Sequence, residues 1–185
     1  MQNDLDRVVT HASKGDRVAF AELYEQLAPR IYSYFYHHLR GHAATAEDLT
    51  EDVFLNVLRG LEEYSQRGLP FSAWIYRVAH NRLVDHFRVQ ARRPQVSLEG
   101  AGDPADLEPM RHLDQVLDRQ ELVAALDRLT PDQREVIVLR FLQRLSIQDA
   151  ARALDRSEET VRKLQRRALD SLRRMMLHPR LQIAV

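Results

Sequence analysis

The residues of this chain whose types and spacing could do chemistry are cations and aromatic rings set out for binding. From Arg156 onward, Arg156, Ser157, Glu159, Thr160, Arg162, Lys163 and Arg166 are interleaved with Val161, Leu164 and Ala168. On a helix that spacing gathers the polar set on one face and the apolar set on the other. An arginine fork matches the O6 and N7 acceptors of guanine, and the first turns of such a helix are what reach base edges in the major groove. The bland alternative is a charged amphipathic helix in a bundle. A second group places Tyr64, Phe71, Trp74 and Tyr76 ahead of Arg77, His80, Asn81, Arg82, Asp85 and Arg88. Rings beside guanidinium groups suit unstacked bases, because every base has a π-face and an anionic backbone. The same rings, Phe71 above all, serve equally well as ordinary core.

Enzyme chemistry finds little support. There is no Walker loop, no Gly-x-Ser-x-Gly, no His-Glu-x-x-His and no glycine-rich dinucleotide fingerprint. Cysteine is absent, which excludes disulfides, thiolate metal sites and a catalytic thiol, and suits a reducing compartment. His38 and His42 stand four apart, but Gly41 lies between them at an expected helix end and no carboxylate stands at ligand spacing beside them. The reading is therefore of a chain with no catalytic residues, no metal and no cofactor.

Net charge is zero, with 27 basic and 27 acidic residues, yet the charges are segregated. Residues 77–93 carry five arginines against Asp85, and residues 156–174 seven basic residues against three acids, each net +4. Residues 47–63 carry six acids against Arg59, and residues 99–121 seven against Arg111 and Arg119, each net −5. Blocks of this kind fit stretches that face different partners, the basic ones facing phosphates, or a set of solvated helix faces.

The elements that must position these residues are helical. No segment sustains the period-two alternation of a half-buried strand, so the fold class expected is all-α. A first helix is expected from Arg17 to Leu39, with Phe20, Leu23, Leu27, Ile31 and Tyr34 or Phe35 on one face. A second is expected over 46–63, capped by Thr45 with Glu47 and Asp48 behind it, and a third over 71–92 after Gly68-Leu69-Pro70. Residues 94–112 have linker composition, with Pro94, Gly100, Gly102, Pro104 and Pro109 among acids. Helices are expected next from Leu113 to Leu129 and after the cap Thr130-Pro131-Asp132-Gln133, the latter holding Val136, Ile137, Leu139 and Phe141. Two short helices capped by Ser146 and Ser157 flank Leu154-Asp155-Arg156 and make a helix-turn-helix candidate. This gives two small helical domains, 1–93 and 113–178, a flexible acidic linker over 94–112 and a tail over 179–185. No run of eighteen apolar residues and no apolar leader core is present, so a soluble, cytoplasmic protein without membrane insertion is expected.

In that order the motifs resemble an extracytoplasmic-function sigma factor of the sigma-70 family, group IV. Ala46-Glu47-Asp48-Leu49-Thr50-Glu51-Asp52-Val53-Phe54-Leu55 is similar to the family's region 2.2. Phe71-Ser72-Ala73-Trp74-Ile75-Tyr76-Arg77-Val78-Ala79-His80-Asn81, continued by Asp85-His86-Phe87-Arg88, resembles regions 2.3 and 2.4. Leu126-Asp127-Arg128-Leu129-Thr130-Pro131-Asp132-Gln133-Arg134-Glu135-Val136 resembles the opening of region 4, and Ser157-Glu158-Glu159-Thr160-Val161-Arg162 its recognition helix. The resemblance implies a subunit that directs bacterial RNA polymerase core to specific promoters and assists DNA melting. Asp48, Leu49, Glu51, Asp52 and Phe54 would dock on the β′ clamp helices. Tyr64, Trp74, Arg77, His80, Asn81, Asp85 and Arg88 would hold the melted minus-ten element, with bases flipped out between residues 63–69 and Asn81. Arg156, Ser157, Glu159, Thr160, Arg162, Lys163 and Arg166 would read the minus-thirty-five element as duplex, near the β flap. An anti-sigma factor as partner is the family's usual arrangement. The linker would lie in the RNA exit channel or act as a plain solubilising tether.

Two departures stand out. Leu154-Asp155-Arg156 replaces the glycine frequent in the family's turn, although aspartate tolerates the left-handed region better than most residues. Lys163-Leu164-Gln165-Arg166 also differs from the family's common pattern, so the promoter sequence does not carry over. A stand-alone helix-turn-helix regulator is the nearest rival reading, opposed by the acidic second helix and by the lack of an obvious dimer helix. A helical adaptor without nucleic acid would leave the clustered arginines unexplained.

Overall fold

Pro70 and the aromatic run behind it produce a helix of the expected bounds, Phe71–Arg92, whose first turn closes with the Trp74 amide donating to the Pro70 carbonyl at 3.1 Å. In the computed structural model, which describes residues 2–64, 69–92 and 123–177, helices account for all regular structure, and no strand occurs among the described residues. The amino-terminal half is built from α1 (Gln2–Ala12), α2 (Arg17–His38), α3 (Ala43–Tyr64) and α4 (Phe71–Arg92). Asp16 fixes the start of α2, its carboxylate accepting the Val18 and Ala19 amides at 2.9 and 3.2 Å.

Two expectations are corrected here. The first residues were read only for a leader, yet they form α1, with Val8, Val9 and Ala12 buried against α2 at helical spacing. Nor does Thr45 cap the second helix: α3 has begun by Ala43, and the Ala46 amide already donates to the His42 carbonyl at 3.1 Å. Thr45 therefore lies inside the first turn.

In the carboxyl half, residues 123–127 form the described part of α5. Its expected start at Leu113, the linker over 94–112 and the tail over 179–185 lie outside the described residues. Next comes α6 (Pro131–Ile137), entered through a reciprocal capping box in which the Thr130 hydroxyl accepts the Gln133 amide and the Gln133 side chain accepts the Thr130 amide, both at 3.4 Å. The same rod then loosens into a π-helical turn, Val138–Leu142. Val136, Ile137 and Leu139 are buried as expected of one face, but the widened turn leaves Phe141 47% exposed. α7 (Ile147–Ala153) and α8 (Glu158–Leu177) complete the chain.

Buried residues from both halves, Val8 to Leu83 and Leu126 to Ala168, form one continuous apolar cluster. α4 packs on α7 and α2 on the π turn, so the two halves meet along the helix that carries the aromatic–arginine face.

Candidate nucleic-acid interface

Small side chains make the close crossing of α7 and α8. Ala150, Ala151 and Ala153 are buried on α7, and Val161 and Ala168 on α8. Ser146 caps α7 by accepting the Asp149 amide at 3.0 Å, and Ser157 caps α8 by accepting the Thr160 amide at 3.2 Å. Between them Asp155 takes φ +53°, the left-handed turn for which glycine is the usual residue. This sets Arg156, Ser157, Glu159, Arg162, Lys163 and Arg166 on the exposed face of the unit, with Thr160 half-buried beside them. Glu158 holds Arg162 and Glu159 holds Lys163, each at 2.6 Å, while Asp132 holds Arg156 at 3.2 Å. Exposed pairs of this kind are worth about 0–1 kcal/mol, so a phosphate or a guanine edge can displace them. Arg140, which sequence reasoning did not single out, donates through Nε to Gln165 Oε1 at 3.1 Å and through a terminal nitrogen to the Leu145 carbonyl. It ties the π turn to the middle of α8.

On α4, Trp74 is 6% exposed and packs against Tyr64 and Phe71, with ring centroids 4.9 and 5.5 Å away. The Tyr64 hydroxyl donates to the Leu69 carbonyl at 2.6 Å, and burial, helped by nearby Asp6, raises its pKa. One edge of Trp74 joins Leu69, Arg77, Val78 and exposed Asn81 around a cavity of about 330 Å³. Asp85 and Arg88 pair with each other at 2.9 Å in solvent, farther along the helix. Of the expected aromatic–arginine residues, Trp74, Arg77 and Asn81 line the cavity, Tyr64 braces Trp74 from behind, and Asp85 and Arg88 form an outlying pair.

The acidic helix α3 shows Asp48 and Glu51 to solvent. Asp52 instead accepts from Arg82 of α4, Nε to Oδ2 at 2.9 Å, with a second contact from the same guanidinium. Leu49 and Phe54, expected as docking contacts, are each 4% exposed and held in the core, Phe54 edge-on to Tyr24 at 4.7 Å. The apolar side chains that α3 does offer are Leu55 and Leu58, 50% and 55% exposed. Their signal lay in the apolar excess of this helix, more than one face needs. Among the described residues no group of three or more histidine or acidic side chains is arranged to hold a metal, and no helix is long and apolar enough to cross a membrane.

Residues 23–93 match the family model for sigma-70 region 2, and residues 125–174 that for sigma-70 region 4. Over 163 residues the chain is 33% identical to the ECF RNA polymerase sigma factor SigX of Bacillus subtilis (strain 168), covering 85% of this chain and 83% of SigX. The chain belongs to the extracytoplasmic-function sigma factors. This sigma factor is also 36% identical over 171 residues to the ECF RNA polymerase sigma factor BldN of Streptomyces coelicolor, spanning 91% of its own length and 64% of that relative. Its fold is shared with CnrH, solved in complex with the cytosolic domain of CnrY: the TM-score is 0.70 at 23% identity, covering 91% of this chain and 94% of the other.

In this sigma factor the region 2 and region 4 modules meet at a polar junction under the α4 face. Glu135 of α6 is 7% exposed and accepts the Tyr34 hydroxyl at 2.6 Å, with His38 Nε2 at 2.9 Å and His80 Nδ1 at 3.2 Å completing its ring of partners. Burial opposes the charged form of Glu135, but the two histidines outweigh it and hold the carboxyl far below the usual range. Tyr34 is raised well above the ordinary phenol by burial and then by Glu135, and burial pushes Tyr76 up to about 12. Beside them the Tyr76 hydroxyl donates to Gln143 Oε1 at 2.8 Å, and Arg30 reaches the Gln143 carbonyl. Arg134 also spans the junction, donating to the His38 carbonyl at 3.4 Å as well as to Asp127 at 2.9 Å and the Leu126 carbonyl at 3.0 Å. At the outer edge Asp155 of the helix-turn-helix holds Arg77 at 3.4 Å. Two residues expected to meet minus-ten DNA, Arg77 and His80, are therefore engaged by the other module, whereas Asn81 and the exposed face of α8 are open.

Proposed function

We propose that this sigma factor divides promoter selection between three surfaces and that the packed arrangement of its modules is its closed, resting form. The exposed acids and leucines of α3, Asp48, Glu51, Leu55 and Leu58, offer a dock for the β′ clamp helices of core polymerase. The cavity bounded by Trp74, Arg77 and Asn81 takes an extruded minus-ten base, and the open face of α8 reads the minus-thirty-five duplex with the remaining module near the β flap. The observation that carries the reading is the cavity itself, a ring, a guanidinium and an exposed amide around a space that admits a planar base.

Closure follows from geometry. The two promoter elements lie about 25 base pairs apart by their positions, on the order of 80 Å along B-form DNA. A compact chain of this length is only about 40 Å across. Reading both elements at once requires the modules to part, which also releases Arg77 and His80. A partner of the anti-sigma class, acting in the cytoplasm on the closed form, belongs to the same reading and is supported by family membership alone.

The deciding experiment is transcription in vitro with the host's own core polymerase on fragmented host DNA, with and without this protein. Defined starts that appear only in its presence, sharing an upstream motif, are the expected result. Their absence with folded protein would count against promoter-directed initiation and make the stand-alone regulator the reading to test next.

A further inference from the structure

Glu135 is a carboxylate sealed between modules, and its partners fix more than its own charge. Both ring nitrogens of His38 face acceptors: Nδ1 lies 2.8 Å from the Tyr34 carbonyl oxygen and Nε2 lies 2.9 Å from Glu135 Oε2. The Nδ1 contact is a hydrogen bond, whereas the Nε2 contact is a close approach without hydrogen-bond alignment. His80 approaches Oε1 of the same carboxylate from α4 at 3.2 Å. A cleft of about 890 Å³, lined by His38, His80 and Glu135 together with Val84, Phe87 and Asp132, runs along this contact.

We propose that His80 is the protonation-controlled part of a clasp on Glu135, holding region 4 against region 2 when its ring is charged and letting the modules part when it is neutral, with His38 the second contact on the same carboxylate. The inference rests on the reading of the packed arrangement as the resting form, and adds what sets its strength. Loss of the His80 proton removes the positive charge that faces a carboxylate only 7% exposed.

The groups facing the clasp are named from each element around it. α2 supplies Tyr34 and His38, and α4 supplies Tyr76 and His80. α6 supplies Asp132 and Arg134, the latter held by Asp127 and by the His38 carbonyl, and the helix-turn-helix supplies Arg156, which opposes the charge of His80 while Asp132 favours it. Burial would lower the pKa of His80, but its bond to Glu135 and that carboxylate's charge outweigh burial and raise it. A histidine raised in the closed form adds its full share below the ordinary histidine value and loses it as pH climbs through the raised one. Glu135, held low, loses its share only in strong acid. Closure is thus firm in mild acid and slackens toward the alkaline side.

Small-angle X-ray scattering from the full chain, free of polymerase and DNA, tests this at about pH 6 and about pH 8.5, on either side of the histidine range. The expected result is a compact particle in mild acid that expands by roughly a tenth or more in radius of gyration at the higher pH. A variant carrying His80→Gln should lose that response. An unchanged radius in the wild-type chain overturns the proposal, as does a full response in the variant. If the variant loses helix content, the ¹⁵N shifts of the wild-type imidazoles decide: an imidazolium His80 in the compact particle upholds the clasp, and a neutral tautomer sinks it. Because neither polymerase nor promoter enters the measurement, its failure is separate from any failure of promoter-directed transcription.

Discussion

Trp74 and Asn81 line the same cavity two helical turns apart, yet they ask for different experiments. Asn81 is exposed, so Asn81→Ala should change stability by no more than about 0.5 kcal/mol. Permanganate footprinting is expected to show impaired promoter opening with polymerase binding kept; equal loss of both would remove Asn81 from the base-holding role. Trp74 is 6% exposed and braces Tyr64 and Phe71, so Trp74→Ala should destabilise the fold by about 3–5 kcal/mol and confound any DNA readout. The sequence placed both residues on one surface because rings, arginines and an amide recur there at helical spacing. It gave no sign that Leu49 and Phe54 turn inward, since an acidic helix with more apolar residues than one face needs leaves open which of them stay outside. Glu135 was illegible in another way. It reads as one more charge beside Arg134, and nothing nearby in the chain announces partners at Tyr34 and His38, about a hundred positions earlier.

Helices were legible where their ends are written in local chemistry. Asp16 ahead of α2, and Thr130 with Gln133 around α6, satisfy amides that no helix can satisfy by itself, while Pro70 stands immediately ahead of the first residue of α4. Thr130→Ala should cost about 1 kcal/mol and lower the melting temperature by about 2–4 °C, read by circular dichroism. No change would mean that α6 owes its start to packing alone. α1 was overlooked although Leu5, Val8, Val9 and Ala12 carry the helical spacing, because that stretch was read for targeting rather than for amphipathicity. On α8, Arg162→Ala removes one exposed guanidinium and its pair to Glu158. Binding to the upstream duplex should weaken by about 1–3 kcal/mol, while association with core polymerase is unchanged. Asp48→Arg on α3 should do the reverse, and a gel-shift and core-binding assay on both variants would expose an exchange of roles. Asp52 is the poorer probe, because it also anchors Arg82.

For the whole molecule, the two modules share one apolar cluster and a polar junction, and the proposed resting form requires both to be broken before the two promoter elements are read together. Tyr34→Phe with Tyr76→Phe deletes the hydroxyls that meet Glu135 and Gln143 while leaving the ring packing in place. Each lost bond should weaken closure by about 1–3 kcal/mol. Stopped-flow mixing with core polymerase is expected to show faster association. An unchanged rate would mean that closure is no obstacle to docking. The alternation of acidic and basic blocks signalled several partners, but not that one of them is the other half of the chain. The π turn at Val138–Leu142 has a consequence of its own for how such a protein can change. A π turn takes up one residue more than an α turn in nearly the same rotation, so a residue removed there would return the rod to ordinary winding and leave the heading of everything after it almost unchanged. Gln143 would stay aimed at the junction, so this turn is the place where the chain can lose a residue without redirecting the DNA-reading helix.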